Sequence, residues 1–328
     1  MTKKLRWGIL GVAKINERLL PAFARALNAD LQAIASRSLD KAKAAAKAAG
    51  IPKAYGNYDT LLDDPDIDAI YNPLPNTLHD EWTRKAADRG KHILCEKPLT
   101  PTARECEALV AYCRGKNVKL MDGFMWPHHP RTAKIKELLK SGKIGKVLRV
   151  TGAFTFRLPK DPSNIRLQSN TAGGCLLDVG CYPVYGTRWA LGEEPVSVWA
   201  AARWEFDVDV AMDATLWFGD GRMASFGCSF EHPMRQWLEI VGEKGTITVP
   251  EMWVPSKATF SVQYDENPQR EEFAVDGFDQ IQCMLENFGQ YVLKNEPVVP
   301  SPEEAIKSAR VMEALLNSAR TGRVVDVR

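Results

Sequence analysis

The stretch "RWGILGVAKINERLL", residues 6–20, runs from an apolar strand through a glycine turn into an amphipathic helix. A strand, turn and helix in this order open a βαβ unit, and the turn can lay its backbone against a pyrophosphate at the helix N-terminus. The full fingerprint is G-x-G-x-x-G, whereas Gly11, Ala13 and Asn16 occupy those positions here. The match is degraded, and a plain tight turn would look the same. Its place after the first strand is the one the fingerprint requires, so Gly11, Ala13, Lys14 and Ile15 are read as the phosphate loop.

The rhythm continues outward from that turn. "LQAIAS" is the next strand and "LDKAKAAAKAAG" an alanine-rich helix stopped by Gly50. "IDAIYNPL" is a third strand, "LHDEWTRKAADRG" a helix capped by Asn76 or Thr77, "KHILC" a fourth strand. "TARECEALVAYCRG", opened by Thr100 and Pro101, and the strand "VKLMDG" complete the series. Such alternation predicts a doubly wound parallel sheet over residues 1–122. After residue 123 one helix leads into "KVLRVTGAFTF", and from about residue 196 period-two strands dominate. Residues 123–328 are therefore expected to form an α/β domain with a large open, mainly antiparallel sheet, one face on helices and the other free to pack elsewhere. Its last helix is free to pack back on the first domain.

Composition narrows the function classes. With 328 residues the chain suits two domains. Hydrophobic residues at 45% and charged ones at 26% exclude a disordered chain. Lys plus Arg number 43 against 41 acids, so neither a nucleic-acid nor a membrane partner is expected. No apolar run reaches the ~18 residues of a span. Seven scattered cysteines without a CxxC pair suit reduced thiols in the cytoplasm, and five histidines without zinc spacing predict no metal.

At the end of the second strand, where an acid would grip the ribose of NAD, Ser36, Arg37 and Ser38 stand instead, with Lys41 one turn later. Hydroxyls and a guanidinium suit a 2′-phosphate, which favours NADP over NAD. Asp40 in the same loop keeps NAD open. Two further segments carry the chemistry. In "KHILCEKPLT", residues 91–100, the fourth strand delivers Glu96, Lys97 and Pro98. In "TAGGCLLDVGCYPVYG", Gly173 and Gly174 permit a close backbone approach, and Asp178 and Tyr182 stand four apart, on one face if helical. Tyrosine, with an ordinary pKa of ~10, can exchange a hydroxyl proton during hydride transfer if a cation such as Lys97 lowers that value.

Together, "YNPLPNTLHDEWTRKAADRGKHILCEKPLT", "GGCLLDVGCYPV" and "GILGVAKI" resemble the Gfo/Idh/MocA oxidoreductases. Within them the chain is most similar to the glucose-fructose oxidoreductase, dimeric dihydrodiol dehydrogenase and D-xylose dehydrogenase group. The resemblance implies a Rossmann domain, a second domain whose open sheet makes a dimer or a dimer of dimers, and hydride exchange between a tightly held nicotinamide cofactor and a sugar or polyol. It implies Lys97, Tyr182 and Asp178 as catalytic residues, with Pro98 shaping the lysine turn. Leu74, Pro75, Asn76, His79, Glu96 and Lys97 are read around the nicotinamide and its ribose, and Trp126, Arg166, Asp178 and Tyr182 as the substrate set. Members of the family commonly carry an arginine where Pro127 stands. Losing that charge and a backbone donor bears on the substrate near His128 and His129 more than on the reaction.

The expected activity is thus oxidation of an aldose at C1 or reduction of a keto-sugar. A trans-dihydrodiol substrate would keep the chemistry, with Trp126, Trp189, Trp204 and Trp237 able to line an apolar pocket. A cofactor-binding regulator would have no physical need for both Lys97 and Tyr182.

Overall fold

The computed structural model describes residues 3–327. Contacts divide the chain into two units, one running to His128 and taking up Asp279–Ile306, the other comprising His129–Phe278 and resuming at Lys307.

In the first unit, strands β1 (Leu5–Leu10), β2 (Ala29–Ala35), β3 (Lys53–Tyr55), β4 (Ala69–Asn72), β5 (His92–Cys95) and β6 (Leu120–Asp122) pair in parallel, in the order β3-β2-β1-β4-β5-β6. This is the doubly wound order, whose direction reverses between β1 and β4. Helices α1 (Asn16–Arg25), α2 (Leu39–Ala49), α3 (Tyr58–Leu62), α4 (His79–Asp88) and α5 (Ala103–Gly115) connect the strands. The sequence reading passed over β3 and α3, because segments of three and five residues are too short to show a period.

Two caps also differ from expectation. Thr102, not Thr100, opens α5, through a reciprocal capping box with Glu105. Asn76–Leu78 form a 3-10 turn, and α4 starts after Leu78 without a side-chain cap. Gly50 ends α2 in the left-handed conformation, φ 68°, as its position foretold.

The second unit opens with α6 (Pro130–Lys140), capped by the His129 ring, whose Nδ1 accepts the Arg131 N–H at 3.0 Å. Its sheet is built from β7 (Val147–Thr155), β8 (Ser197–Glu205), β9 (Val208–Trp217), β10 (Met223–Ser229), β11 (Leu238–Gly242), β12 (Gly245–Val249), β13 (Thr259–Tyr264) and β14 (Asn267–Ala274). Helix α7 (Cys181–Leu191) crosses one face of it. The order is β14-β13-β12-β11-β7-β10-β9-β8, extended at the far edge by a short strand near the C-terminus. Every pairing is antiparallel except β7 with β10.

Where α7 meets the sheet, Gly186 leaves room for the Trp253 ring, which a Cβ would approach to 2.5 Å. The indole of Trp253 donates to the Ala153 carbonyl at 2.8 Å, so its one polar atom is satisfied in the core. Alternate residues of β8 and β9 face away from that layer, with Trp199 39% exposed and Arg203 and Asp213 on the same open face.

Helix α8 (Gln280–Leu293) returns to the first unit. It begins at Asp279, whose carboxylate accepts the N–H groups of Ile281 and Gln282, and it buries Ile281, Met284, Leu285 and Phe288. Phe288 packs at 5.3 Å from the Trp7 ring of β1. The division falls inside α9 (Glu303–Thr321), between Ile306 and Lys307. Later in that helix the Ser318 hydroxyl accepts the Ala200 N–H of β8 at 2.9 Å. Strand β15 (Val325–Asp326) closes the chain by pairing with β8.

Candidate active site

In the first unit, residues singled out from the sequence follow the C-terminal ends of β1, β2, β4 and β5, where doubly wound sheets bind ligands. Gly11 follows β1 with φ 109°, a conformation that disfavours any side chain. A Cβ there would come within 3.3 Å of the Leu74 side chain and 3.8 Å of the Tyr58 hydroxyl. The Gly11 N–H is bound to the Ala35 carbonyl at 2.8 Å, and the Asn16 amide donates to the Gly11 carbonyl at 3.0 Å. The Asn16 Oδ1 is buried without a hydrogen-bond partner among the described residues. Ala13, Lys14 and Ile15 make the turn into α1, with Lys14 exposed.

After β2, Ser36 and Ser38 serve the turn: the Ser36 hydroxyl accepts the Ser38 N–H at 3.3 Å, and the Ser38 hydroxyl caps α2 by accepting the Lys41 N–H at 3.4 Å. Arg37 is exposed and hydrogen-bonded to Tyr58. Burial pushes the Tyr58 hydroxyl above the ordinary tyrosine value, and the Arg37 charge opposes that shift. Tyr58 therefore joins the guanidinium to the Gly11 turn. No local pattern singles out Tyr58, since its helix α3 is only one turn long.

After β4, Leu74 packs over Gly11, and Pro75 and Asn76 lead into the 3-10 turn. After β5 come Glu96 and Lys97, both half-buried, and Pro98, whose bond to Lys97 is cis. The Tyr71 hydroxyl donates to Glu96, and the second Glu96 oxygen accepts the Lys97 N–H at 3.3 Å. His79 is fully buried, with Nδ1 2.9 Å from the Pro98 carbonyl and Nε2 2.7 Å from the Leu74 carbonyl. Burial pushes it below the ordinary imidazole value, against those two carbonyls, and the Lys97 charge adds to the burial effect. The ring thus sits between the Leu74 loop and the lysine turn, and the single N–H of its neutral form donates to one of the two carbonyls.

Trp126 is fully buried in a 3-10 turn of the same unit. Its neighbour His128 is buried too, with Nδ1 against the Asn287 amide at 3.0 Å, and burial lowers it to about 4.

In the second unit, Arg166 and Asp178 come together, Nε to Oδ2 at 2.8 Å. Arg166 lies in a 3-10 turn and Asp178 in a π-helical turn, Leu176–Gly180, that runs directly into α7. Tyr182, the second residue of α7, is 3% exposed. Its ring meets Phe154 edge-on at 5.0 Å and Trp253 at 6.0 Å. Gly173 and Gly174 do permit a close approach, and what approaches is the chain itself. A Cβ on Gly173 would lie 2.6 Å from the Arg166 carbonyl oxygen, and one on Gly174 would lie 2.2 Å from an Asp209 carboxylate oxygen. Asp209 escaped the sequence reading, since a single acid in "VDV" reads as an outward strand position.

The donor set of the first unit fits a dinucleotide. The Gly11 turn opens α1 at the C-terminal edge of β1, and Arg37, hydrogen-bonded to Tyr58, brings a cation to the same edge. Among the described residues no cluster of three His, Cys, Asp or Glu could hold a metal, and no helix is long and apolar enough to cross a membrane.

Residues 5–124 match the model of the oxidoreductase family with an NAD-binding Rossmann fold, and residues 132–248 match the GFO/IDH/MocA C-terminal domain. D-xylose 1-dehydrogenase (NADP(+)) 2 of Haloferax volcanii is 37% identical over 326 residues, covering 98% of this chain and 100% of its own. A 3-ketoreductase from Actinomadura kijaniata, solved in complex with NADP and TDP-benzene, is similar with a TM-score of 0.89 at 32% identity, over 96% of this chain and 98% of that one. The aldose-aldose oxidoreductase of Caulobacter crescentus, complexed with glycerol, gives a TM-score of 0.91 at 29% identity, over 99% and 100% of the two chains. With both of its domain models matched in order along one chain, the protein belongs to the Gfo/Idh/MocA family of oxidoreductases.

Proposed function

We propose that the protein is an NADP-dependent dehydrogenase or reductase of sugars, oxidising an aldose at C1 or reducing a keto-sugar. The observation that carries this reading is the seating of Arg37, through Tyr58, beside the Gly11 turn at the C-terminal edge of β1 and β2. A guanidinium there matches the extra phosphate that distinguishes NADP from NAD. The xylose dehydrogenase and the ketoreductase, both named with NADP, support it.

In this reading Gly11, Ala13, Lys14 and Ile15 receive the pyrophosphate, and Arg37, with Ser36 and Lys41, the 2′-phosphate. Leu74, Pro75, Asn76 and Glu96 border the nicotinamide ribose, and His79 holds the two loops that carry them. The bound nicotinamide supplies a hydride acceptor or donor. Tyr182 takes the hydroxyl proton in oxidation and returns it in reduction, Lys97 holds the substrate oxygen, and the Arg166–Asp178 pair binds neighbouring hydroxyls. We further propose that two copies meet through the open face of the nine-stranded sheet. The scattered cysteines support a reducing, cytoplasmic setting.

The test is to denature purified protein and identify any released nucleotide, then supply NADP with xylose, glucose or a trans-dihydrodiol and follow NADPH. Reduction with a sugar is the expected result. NADPH formed only with the dihydrodiol would move the substrate, and no NADP reduction with any of the three together with no NADPH oxidation by a keto-sugar would overturn the reading. Replacing Tyr182 with Phe is expected to lower kcat by roughly 10²–10⁴-fold with NADP affinity unchanged, measured by steady-state kinetics beside cofactor titration. Turnover at the original rate would remove tyrosine from the proton step.

A further inference from the structure

Asp209 is 2% exposed in the first turns of β9, a place where a carboxylate must be compensated or it costs folding energy. Its compensation comes from one short segment. Oδ2 accepts the Leu176 N–H at 2.6 Å and the Cys175 thiol at 3.1 Å. Oδ1 fills the space that the missing side chain of Gly174, at φ 113°, leaves open. Leu176 is the first residue of the π-helical turn; the Asp178 N–H reaches back to the Gly174 carbonyl at 3.2 Å, whereas the Leu176 N–H goes to the Asp209 carboxylate. No residue next to that turn supplies a side-chain cap. A carboxylate from a distant strand takes the place that Ser or Asp fills at an ordinary helix start, with the charge sign that a helix N-terminus favours.

We propose that Asp209 is a positioning residue that pins the start of the Leu176–Gly180 turn and thereby holds Asp178 and Tyr182, two and six residues beyond it, in their working register. This rests on the proton-transfer and substrate-binding roles given to those two residues above.

The titratable groups around Asp209 are Cys175 on the turn, Cys228 on β10, whose sulfur lies 3.6 Å from that of Cys175, and, more distantly, Arg320 on α9. Both thiols are pushed up by burial and stay neutral, which leaves Arg320 as the only stabilising charge among them. Burial raises the Asp209 carboxyl to about 6. Above that pH it is the anionic cap; below it, a proton occupies one oxygen and the cap weakens. Global stability moves the other way for this group, because charging a buried acid costs free energy as pH rises from the unfolded value through about 6. Local order and overall stability are therefore separable.

The experiment uses the full chain with NADP and the variants Asp209→Asn and Asp209→Ala. Amide exchange of residues 175–182 is read by mass spectrometry, with kcat, KM and NADP affinity measured in parallel. In Asp209→Ala, exchange of that segment is expected to rise and kcat to fall by about tenfold or more, with KM and NADP affinity within about twofold. Asp209→Asn, which keeps an acceptor, restores part of the protection, melts no lower than the parent above about pH 6, and loses the loosening that the parent shows between about pH 8 and pH 5 after correction for intrinsic rates. Parent-like exchange in both variants, or parent kcat in Asp209→Ala, overturns the proposal. If Asp209→Ala does not fold, the Asn variant and the pH series decide alone. A parent protein that turns over no sugar while the segment loosens as described defeats the functional reading and leaves the cap standing.

Discussion

Arg37, hydrogen-bonded to Tyr58, carries the first prediction. A charge-assisted hydrogen bond to a phosphate contributes roughly 1.5–3 kcal/mol, so Arg37→Asp is expected to weaken NADP by about ten- to a hundredfold or more while leaving NAD within a few-fold. Titration of both nucleotides checks this, and equal losses for the two would remove Arg37 from phosphate recognition. His128 carries a different prediction. Its buried ring, lowered to about 4, is neutral in the folded protein, whereas in the unfolded chain it takes a proton near 6.5. The unfolded state then binds more protons between those values, so stability present above about pH 6.5 is lost as pH falls toward 4, by as much as ~3 kcal/mol. His79 and His92 are lowered as well and act with the same sign. A His128→Asn variant, which keeps an acceptor for Asn287, isolates the effect: its melting temperature should fall less than the parent's between pH 7 and pH 4.5. Parallel curves would show that His128 titrates normally.

Elements of the first unit were legible wherever the chain carried a continuous apolar run or a helical period, which the three-residue β3, "KAY", does not. The alternation of apolar strands and Ala-rich helices located β1, β2, β4, β5 and β6, because a parallel strand covered on both faces reads as a continuous apolar run. The start of α5 was misplaced by two residues, since Thr100 and Thr102 offer the same chemistry and only the backbone decides which hydroxyl meets the Glu105 N–H. Thr102→Ala should therefore cost about 1 kcal/mol and Thr100→Ala should not act through the cap. Chemical denaturation of both variants checks the assignment. Asp178 and Tyr182 were expected on one helical face, and the segment instead passes through a π turn before α7. No local residue pattern announces that turn, and the carboxylate that receives its first N–H comes from Asp209, more than thirty residues away.

At the scale of the whole molecule, the open sheet face and the two-unit division are the features that matter. Trp199, with Arg203 and Asp213 on the same face, gives that surface an apolar anchor among polar groups. Trp199→Lys is expected to shift the protein toward monomer in light scattering; an unchanged mass, or a parent that is itself monomeric, would move the proposed contact elsewhere. The sequence by itself determined the parallel sheet, the glycine turn after β1 and the placing of Lys97 and Arg37 at strand ends, because period, glycine placement and residue chemistry are local properties of the chain. Only the tertiary structure decided that α8 belongs with β1, through Phe288 on Trp7, that Tyr58 carries Arg37, that Arg166 pairs with Asp178, and that a buried Asp209 caps the turn before Tyr182. Each of these is a contact between segments far apart in sequence, and its energy depends on burial and distance, which no single stretch of residues encodes.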